Sequence, residues 1–160
     1  MPEIKRLING QDIMPATITG SNIASNTLSN SQIGLAASAS NSVTTAVTTT
    51  STTAYSTVNS LSFTPAKTGK VLVIARLRLI VNNNTAGDGV SVELLNGSTV
   101  VDGPYTVLSS AASQNQVVTL MALLTGLTVG TAITLSTAIE AVTGGTASAT
   151  GILVAMELLA

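Results

Sequence analysis

The chain has 160 residues, six Lys/Arg against seven Asp/Glu, and a mean hydropathy of +0.52. It contains no Cys and no His, which excludes disulfides, zinc sites with the usual ligands and histidine acid–base catalysis. The six Lys and Arg residues are scattered along the chain and provide no positively charged surface for nucleic acid. The chain contains 25 Thr and 18 Ser among mainly aliphatic residues, and this composition favours β structure.

The first predicted segment, residues 1–34, is an extended arm with an apolar residue at every fifth position. A period of five fits neither a helix nor one face of a strand. Such an arm has no core of its own, so we expect it to pack against symmetry mates or another protein. The alternative is chance repetition in a low-complexity tract. The predicted anchoring residues are Ile8, Ile13, Ile18, Ile23, Leu28 and Ile33.

The start of the chain and its apolar runs predict neither a secretory signal nor a membrane span. The opening stretch MPEIKRLINGQD lacks the apolar region of a secretory signal. No run of residues reaches the roughly 18 apolar positions of a membrane span. We therefore expect neither secretion by this route nor membrane contact.

Residues 35–53, LAASASNSVTTAVTTTSTT, are uncharged and rich in Ser and Thr. This composition favours a linker or a loosely ordered stalk between the arm and the rest of the chain. The alternative is a β-strand, because Thr favours extended backbone.

Residues 54–160 are predicted to form a jelly-roll-like β-sandwich. Turn-forming residues separate short aliphatic stretches, and the Asn96-Gly97 pair is typical of a β-hairpin. Seven or eight strands over about 105 residues are typical of a two-sheet sandwich. The predicted strands are 55–63, 70–81, 89–95, 99–108, 115–124, 131–142 and 149–159.

In each of the most regular strands, alternate residues form two rows, one on each side of the strand. One row is apolar, and the other mixes aliphatic with polar or charged residues. Alternate residues from Val71 to Val81 are apolar and predict a core face. In the last strand, the same reasoning assigns Ile152, Val154, Met156 and Leu158 to the core. The mixed rows are too apolar for a solvent-facing sheet, so we predict a subunit interface there, with solvated surface ion pairs as the alternative. The predicted interface residues are Leu72, Ile74, Arg76, Arg78, Ile80, Glu93, Leu153 and Glu157.

Candidate chemical sites are sparse. The carboxylate pairs Asp88/Asp102 and Glu93/Glu140 have the residue types of a two-carboxylate hydrolase, but no aromatic platform for a sugar accompanies them. The loop NNNTAGDG has a single carboxylate, so it is predicted to be a turn rather than a calcium site. The sequence therefore predicts a protein that is not an enzyme, with no catalytic residue, metal or cofactor.

Two stretches resemble structural proteins of tailed bacteriophages. The text ITGSNIASNTLSNSQIG resembles the fibre-type arms at the start of such proteins. The stretches LSFTPAKTGKVLVIARLRL and VGTAITLSTAIEAVTGGTASATGILVAMELLA resemble the trimeric jelly rolls of phage heads and fibres, which are similar to the C1q/TNF-like fold.

The resemblance implies a homotrimeric capsid decoration or head-fibre protein. Its expected location is the virion, assembled in the host cytoplasm, and its expected partners are other virion proteins, above all the major capsid protein. Two alternatives are a tail-fibre or baseplate component and a carbohydrate- or receptor-binding module.

Overall fold

The computed structural model describes residues 36–82, 88–108, 114–143 and 145–159, which form eight β-strands. Over these residues there is no helix of the length and apolar character that crossing a bilayer requires. The strands are β1 (Ser38–Thr49), β2 (Ser56–Phe63), β3 (Val71–Asn82), β4 (Gly89–Asn96), β5 (Thr99–Leu108), β6 (Gln114–Leu124), β7 (Ile133–Val142) and β8 (Thr146–Glu157).

The strands form two four-stranded antiparallel sheets. The first sheet has the order β1-β8-β3-β6 and the second has the order β2-β7-β4-β5. Early and late strands are therefore neighbours in both sheets, as in a jelly roll. The predicted all-β, jelly-roll-like sandwich is confirmed, and the seven predicted strands match β2 to β8 with bounds that differ by at most three residues.

The core lies between the two sheets and consists of aliphatic side chains, together with Phe63, mainly from alternate strand positions. In β3, the inward side chains from Val71 to Leu79 are all fully buried, as the alternation predicted. In β4 of the other sheet, Val90 and Leu94 are also fully buried. Each such Val or Leu side chain contributes about 1.5–3 kcal/mol through its removal from water.

The inward row of β8 is the opposite of the predicted one. Leu153 pairs with the buried Ala75, and directly opposite residues share a face of a sheet. Leu153 is fully buried, whereas Ile152 and Met156 are 40% and 38% exposed. The assignment of Ile152 and Met156 to the core was therefore wrong. Both rows of this strand are aliphatic, so alternation alone does not separate them.

The strand β1 lies inside the segment that was predicted to be a linker. It pairs with β8 along its length, with a register shift between Val43 and Val47. Its side chains Ala39 and Val47 pack against the core. Uncharged Ser and Thr residues suit the solvated side of an edge strand. The predicted domain boundary at residue 54 was therefore wrong, because the sandwich begins with β1.

The predicted arm, with its anchoring residues from Ile8 to Ile33, lies outside the described residues, and its role stays a prediction. The described chain starts beside the end of β8, where the main-chain N–H of Glu157 donates a hydrogen bond to the Ala37 carbonyl at 2.8 Å. The chain therefore enters the sandwich where β1 begins and β8 ends.

Candidate interaction surface

The outer face of the first sheet carries the interface residues predicted in β3. Leu72, Ile74, Arg76, Arg78 and Ile80 alternate with the fully buried row, so they face away from the core. The three aliphatic side chains are half-buried and both arginines are exposed. The predicted placement of these five residues on the second face of β3 is confirmed.

Side chains from β6 and β8 extend this surface. Met121 lies opposite Ile74 and Leu123 lies opposite Leu72, and the two β6 side chains are 61% and 58% exposed. The sequence analysis missed them because both rows of β6 contain apolar residues. We call this surface the outer apolar face and define it as Leu72, Ile74, Ile80, Val117, Met121, Leu123, Ile152, Val154 and Met156.

A groove of about 550 Å³ on the same face includes both arginines among its lining residues. It lies beside the register shift in β1 and includes Gly151, where an added Cβ would overlap the main-chain oxygen of Arg76. The Arg78 Nη2 donates a hydrogen bond to Asn115 Oδ1 at 3.1 Å. The lining residues include no carboxylate, so the groove is positively charged.

Three other predicted interface residues lie elsewhere. Leu153 is fully buried in the core, and Glu157, which is 5% exposed, lies on the same inward row of β8. Glu93 is 7% exposed and lies on the outer side of the second sheet. The prediction that these three residues share a face with Arg76 and Arg78 was therefore wrong.

The Glu157 carboxylate is surrounded by main-chain N–H groups rather than by cations. The loop between β2 and β3 wraps around it, and Thr68 Oγ1 also donates a hydrogen bond to the Leu158 carbonyl at 2.6 Å. The donors to its two carboxylate oxygens are the N–H groups of Ala66 at 2.8 Å, Lys67 at 2.7 Å, Thr68 at 2.6 Å, Gly69 at 3.2 Å and Ala37 at 3.3 Å.

These hydrogen bonds explain how an acidic residue is tolerated on the core side of β8. Burial acts to raise the pKa of the Glu157 carboxyl, but the surrounding main-chain N–H groups lower it from 4.5 to about 2. Gly69 makes the loop conformation possible, because its φ is +64° and a Cβ would overlap the Leu127 carbonyl oxygen. This site is structural, and sequence alternation gave no sign of it.

The structure separates the first of the two carboxylate pairs considered from the sequence. Asp88 accepts a hydrogen bond from Thr143 Oγ1 at 3.2 Å. Asp102 accepts from Tyr105 Oη at 2.8 Å and from the Met121 N–H at 2.7 Å. Asp88 immediately precedes β4, whereas Asp102 on β5 pairs with Leu94 near the end of β4. This length of strand separates the two residues by roughly 20 Å. The two carboxylates therefore do not form one site.

The second pair is brought together. Glu93 and Glu140 lie on the adjacent strands β4 and β7, on the outer side of the second sheet. Burial, and after it the neighbouring Glu140, raises the pKa of the Glu93 carboxyl.

No protein-family model and no curated protein sequence matches this chain. The similar solved structures include a Stig cyclase, Fisc from Fischerella sp. TAU, in complex with (3Z)-3-(1-methyl-2-pyrrolidinylidene)-3H-indole. The TM-score is 0.38 and the sequence identity is 14%, over 59% of this chain and 61% of that chain. This chain thus spans about three fifths of the cyclase it matches. The jelly-roll assignment follows from the strand order of the two sheets themselves.

Proposed function

We propose that this chain is a non-enzymatic structural protein of a bacteriophage virion, a homotrimer that decorates or stabilises the capsid shell or forms a head fibre. The observation that carries the proposal is the outer apolar face, which exposes large aliphatic side chains across three adjacent strands. A continuous apolar surface of this kind is typical of protein contacts. The virion role is supported by the resemblance of the arm and of the jelly-roll stretches to phage proteins.

The occupant that we propose for the outer apolar face is a second copy of the chain. The outer side of the whole first sheet, with four strands of about 11 residues, covers roughly 700 Å² at the usual strand spacing and rise. Stable interfaces bury about 600–1,000 Å² on each partner. The outer apolar face, together with the adjoining outer side of β1, is therefore within the size range of a subunit interface.

The charges on this face favour a ring over a face-to-face dimer. A two-fold pairing of identical faces would bring Arg76 and Arg78 of both copies into one desolvated contact, where like charges repel. In a three-fold ring, the face of one subunit contacts a different surface of the next subunit. The arginines of one subunit then contact residues other than Arg76 and Arg78 of the next subunit.

Native mass spectrometry of the full chain tests the assembly. The expected mass is three times 16.0 kDa, and Met121→Glu should dissociate the trimer into folded monomers because it places a charge in the contact. Val100→Glu is the matched control, since Val100 is an exposed residue of the opposite sheet. A monomeric parent protein, or a Met121→Glu variant that remains trimeric, would contradict the proposal.

Cosedimentation with phage heads from the same source tests the virion role. The double substitution Ile18→Asn with Ile23→Asn removes two neighbouring apolar residues of the repeat in every subunit, so binding to heads should fall steeply. The control pair Asn22→Ala with Asn26→Ala changes positions between the repeats and should bind like the parent. Binding that is unaffected by the isoleucine substitutions would show that the repeat does not anchor the protein.

The groove around Arg76 and Arg78 is the observation that favours the receptor-binding alternative. A glycan array probed with the full chain distinguishes the two functions. Binding to a defined anionic glycan that is lost in Arg76→Ala, together with no binding to phage heads, would support a receptor-binding module instead.

A further inference from the structure

The outer side of the first sheet is divided into an apolar half and a polar half. On the strands next to Leu72 and Ile74, the directly opposite side chains are all apolar, namely Leu123, Met156, Met121 and Val154. The positions opposite Arg76 and Arg78 instead include a threonine in each row. The groove occupies the polar half, because both arginines line it and neither Leu72 nor Ile74 does.

An irregularity in β1 opens this groove. The register shifts between Val43 and Val47, so that three residues of β1 face the single residue Thr150 of β8. Strand β1 therefore bulges next to Thr150, and Thr150 lies opposite Arg78 on its other side. Bulges interrupt strand pairing and change the direction of side chains. The result is a groove of about 550 Å³ beside the two arginines.

Positive charge is concentrated in this groove. The described residues contain four Lys and Arg side chains, and two of the four lie on this one row of β3. Because Arg76 and Arg78 are two positions apart on a strand, their Cα atoms are separated by about 7 Å, and both guanidinium groups can contact one small ligand. Arg78 donates a hydrogen bond to the uncharged Asn115, and within the described part of the chain neither arginine forms an ion pair.

The hydrogen-bond donors of the groove match a tetrahedral oxyanion. A guanidinium group presents N–H donors in a planar fork that fits two oxygen atoms of a phosphate or a sulfate. The hydroxyl groups of Ser42, Thr44 and Thr150 line the same groove and are further donors. No lining residue carries a carboxylate that would compete for the arginines.

We propose that the groove binds a sulfate or phosphate ion between Arg76 and Arg78, and that this ion strengthens the contact between subunits. The second part rests on the proposed function, because it requires the next subunit to cover the outer side of the first sheet. Covering this side removes the two arginines from water, which is unfavourable unless a negative charge accompanies them. The bound oxyanion supplies this charge inside the contact.

The acidic side chains that the structure describes are poorly placed to supply the charge from a second copy. Asp88, Asp102 and Glu157 accept hydrogen bonds within their own subunit. Glu93 and Glu140 lie on the outer side of the second sheet, which faces in the opposite direction from the groove. Contact between these opposite sides would stack copies in an open row instead of closing a ring of three. A free ion from solution fits the groove without this difficulty.

Isothermal titration calorimetry of the full chain with sodium sulfate and, separately, sodium phosphate tests the site directly, in chloride buffers of matched ionic strength. Saturable binding is expected, and Arg76→Gln should weaken it at least about tenfold, because hydrogen bonds between charged groups are lost. Lys70→Gln is the matched control, since it removes one positive charge outside the groove and should bind like the parent. Absence of saturable binding of both ions, or equal weakening by the two substitutions, would overturn the proposal.

Analytical ultracentrifugation separates failure of this site from failure of the proposed assembly. In millimolar sulfate, the dissociation constant of the parent trimer should be several-fold lower than in chloride of the same ionic strength. Arg76→Gln should lose this difference, and it also measures the general strengthening of apolar contacts by sulfate. A trimer that binds the ion but is equally stable in both salts would overturn the role of the ion and leave the assembly intact. A protein that binds the ion but is monomeric in both salts would refute the trimer and leave the oxyanion site intact.

Discussion

At the scale of single residues, Glu157 joins three separate parts of the chain. Its carboxylate accepts hydrogen bonds from Ala37, just before β1, and from the loop before β3, and Glu157 itself lies at the end of β8. These are the parts that meet where the N-terminal segment enters the sandwich. One side chain therefore closes this end of the first sheet.

Glu157→Gln should lower the free energy of unfolding by about 1–3 kcal/mol, because a single amide oxygen replaces two charged acceptors. The folded-state pKa of about 2 lies below the ordinary value of 4.5. The ionised carboxyl therefore stabilises the fold above about pH 4.5, and this contribution is lost as the pH falls towards 2. Chemical denaturation across this pH range should show a smaller loss in the variant. An equal loss in both proteins would contradict this role.

Thr137 is a second residue whose environment leads to a prediction. It is fully buried, and Thr137 Oγ1 has no hydrogen-bond partner among the described residues, like the amide of the opposing Asn59. Thr137→Val should raise the free energy of unfolding by about 1 kcal/mol, since it keeps the shape and removes an unpaired hydroxyl. Thr134→Val, at an exposed position of the same strand, should change it little. Destabilisation by Thr137→Val would show that the hydroxyl is bound in solution.

At the scale of elements, β1 determines where the sandwich begins. Deleting residues 1–34 leaves β1 and Ala37 in place, so the truncated chain should retain its cooperative thermal unfolding. Deleting residues 1–53 removes β1, exposes the edge of β8 and uncovers core side chains, so the protein should unfold or aggregate. Circular dichroism melting of both truncations tests this. A stable sandwich formed by residues 54–160 alone would show that β1 is dispensable.

The strands differ in how far sequence alone predicts them. Seven of the eight were predicted because turn-forming residues, mainly Gly, Asn, Pro and Ser, separate the aliphatic stretches. The orientation of β3 was also correct, since Arg76 and Arg78 mark its outer row. In β8 the same reasoning failed, because Glu157 marks the inner row. An acidic side chain indicates the solvent-facing row of a strand only when no buried hydrogen-bond donors, such as the main-chain N–H groups around Glu157, surround its carboxylate.

At the scale of the whole molecule, charge is divided between the two outer surfaces. Arg76 and Arg78 lie on the first sheet, while Glu93 and Glu140 lie on the second. This division follows from the order of strands in the jelly roll, which places β3 and β4 in different sheets. The sequence analysis had grouped Glu93 with Arg76 and Arg78 on one face, since it had no means of assigning strands to sheets.

Arg78→Glu should weaken subunit association by at least about tenfold, because it reverses a charge that a neighbouring subunit would contact. Lys70→Glu is the control, since Lys70 is exposed at the end of the loop that precedes β3. Analytical ultracentrifugation over a range of protein concentrations measures both effects. If the two substitutions act equally, then Arg78 is an ordinary surface charge and lies outside the interface.

The sequence by itself determined the all-β class, the positions of β2 to β8, the fully buried row of β3 and the mixed character of its other row. These features depend on local turn residues and on side-chain alternation. Only the tertiary structure decided the inclusion of β1, the orientation of β8 and the proximity of Glu93 to Glu140. Each of these depends on contacts between residues far apart in the chain, such as the loop N–H groups around Glu157, which alternation within one strand does not encode.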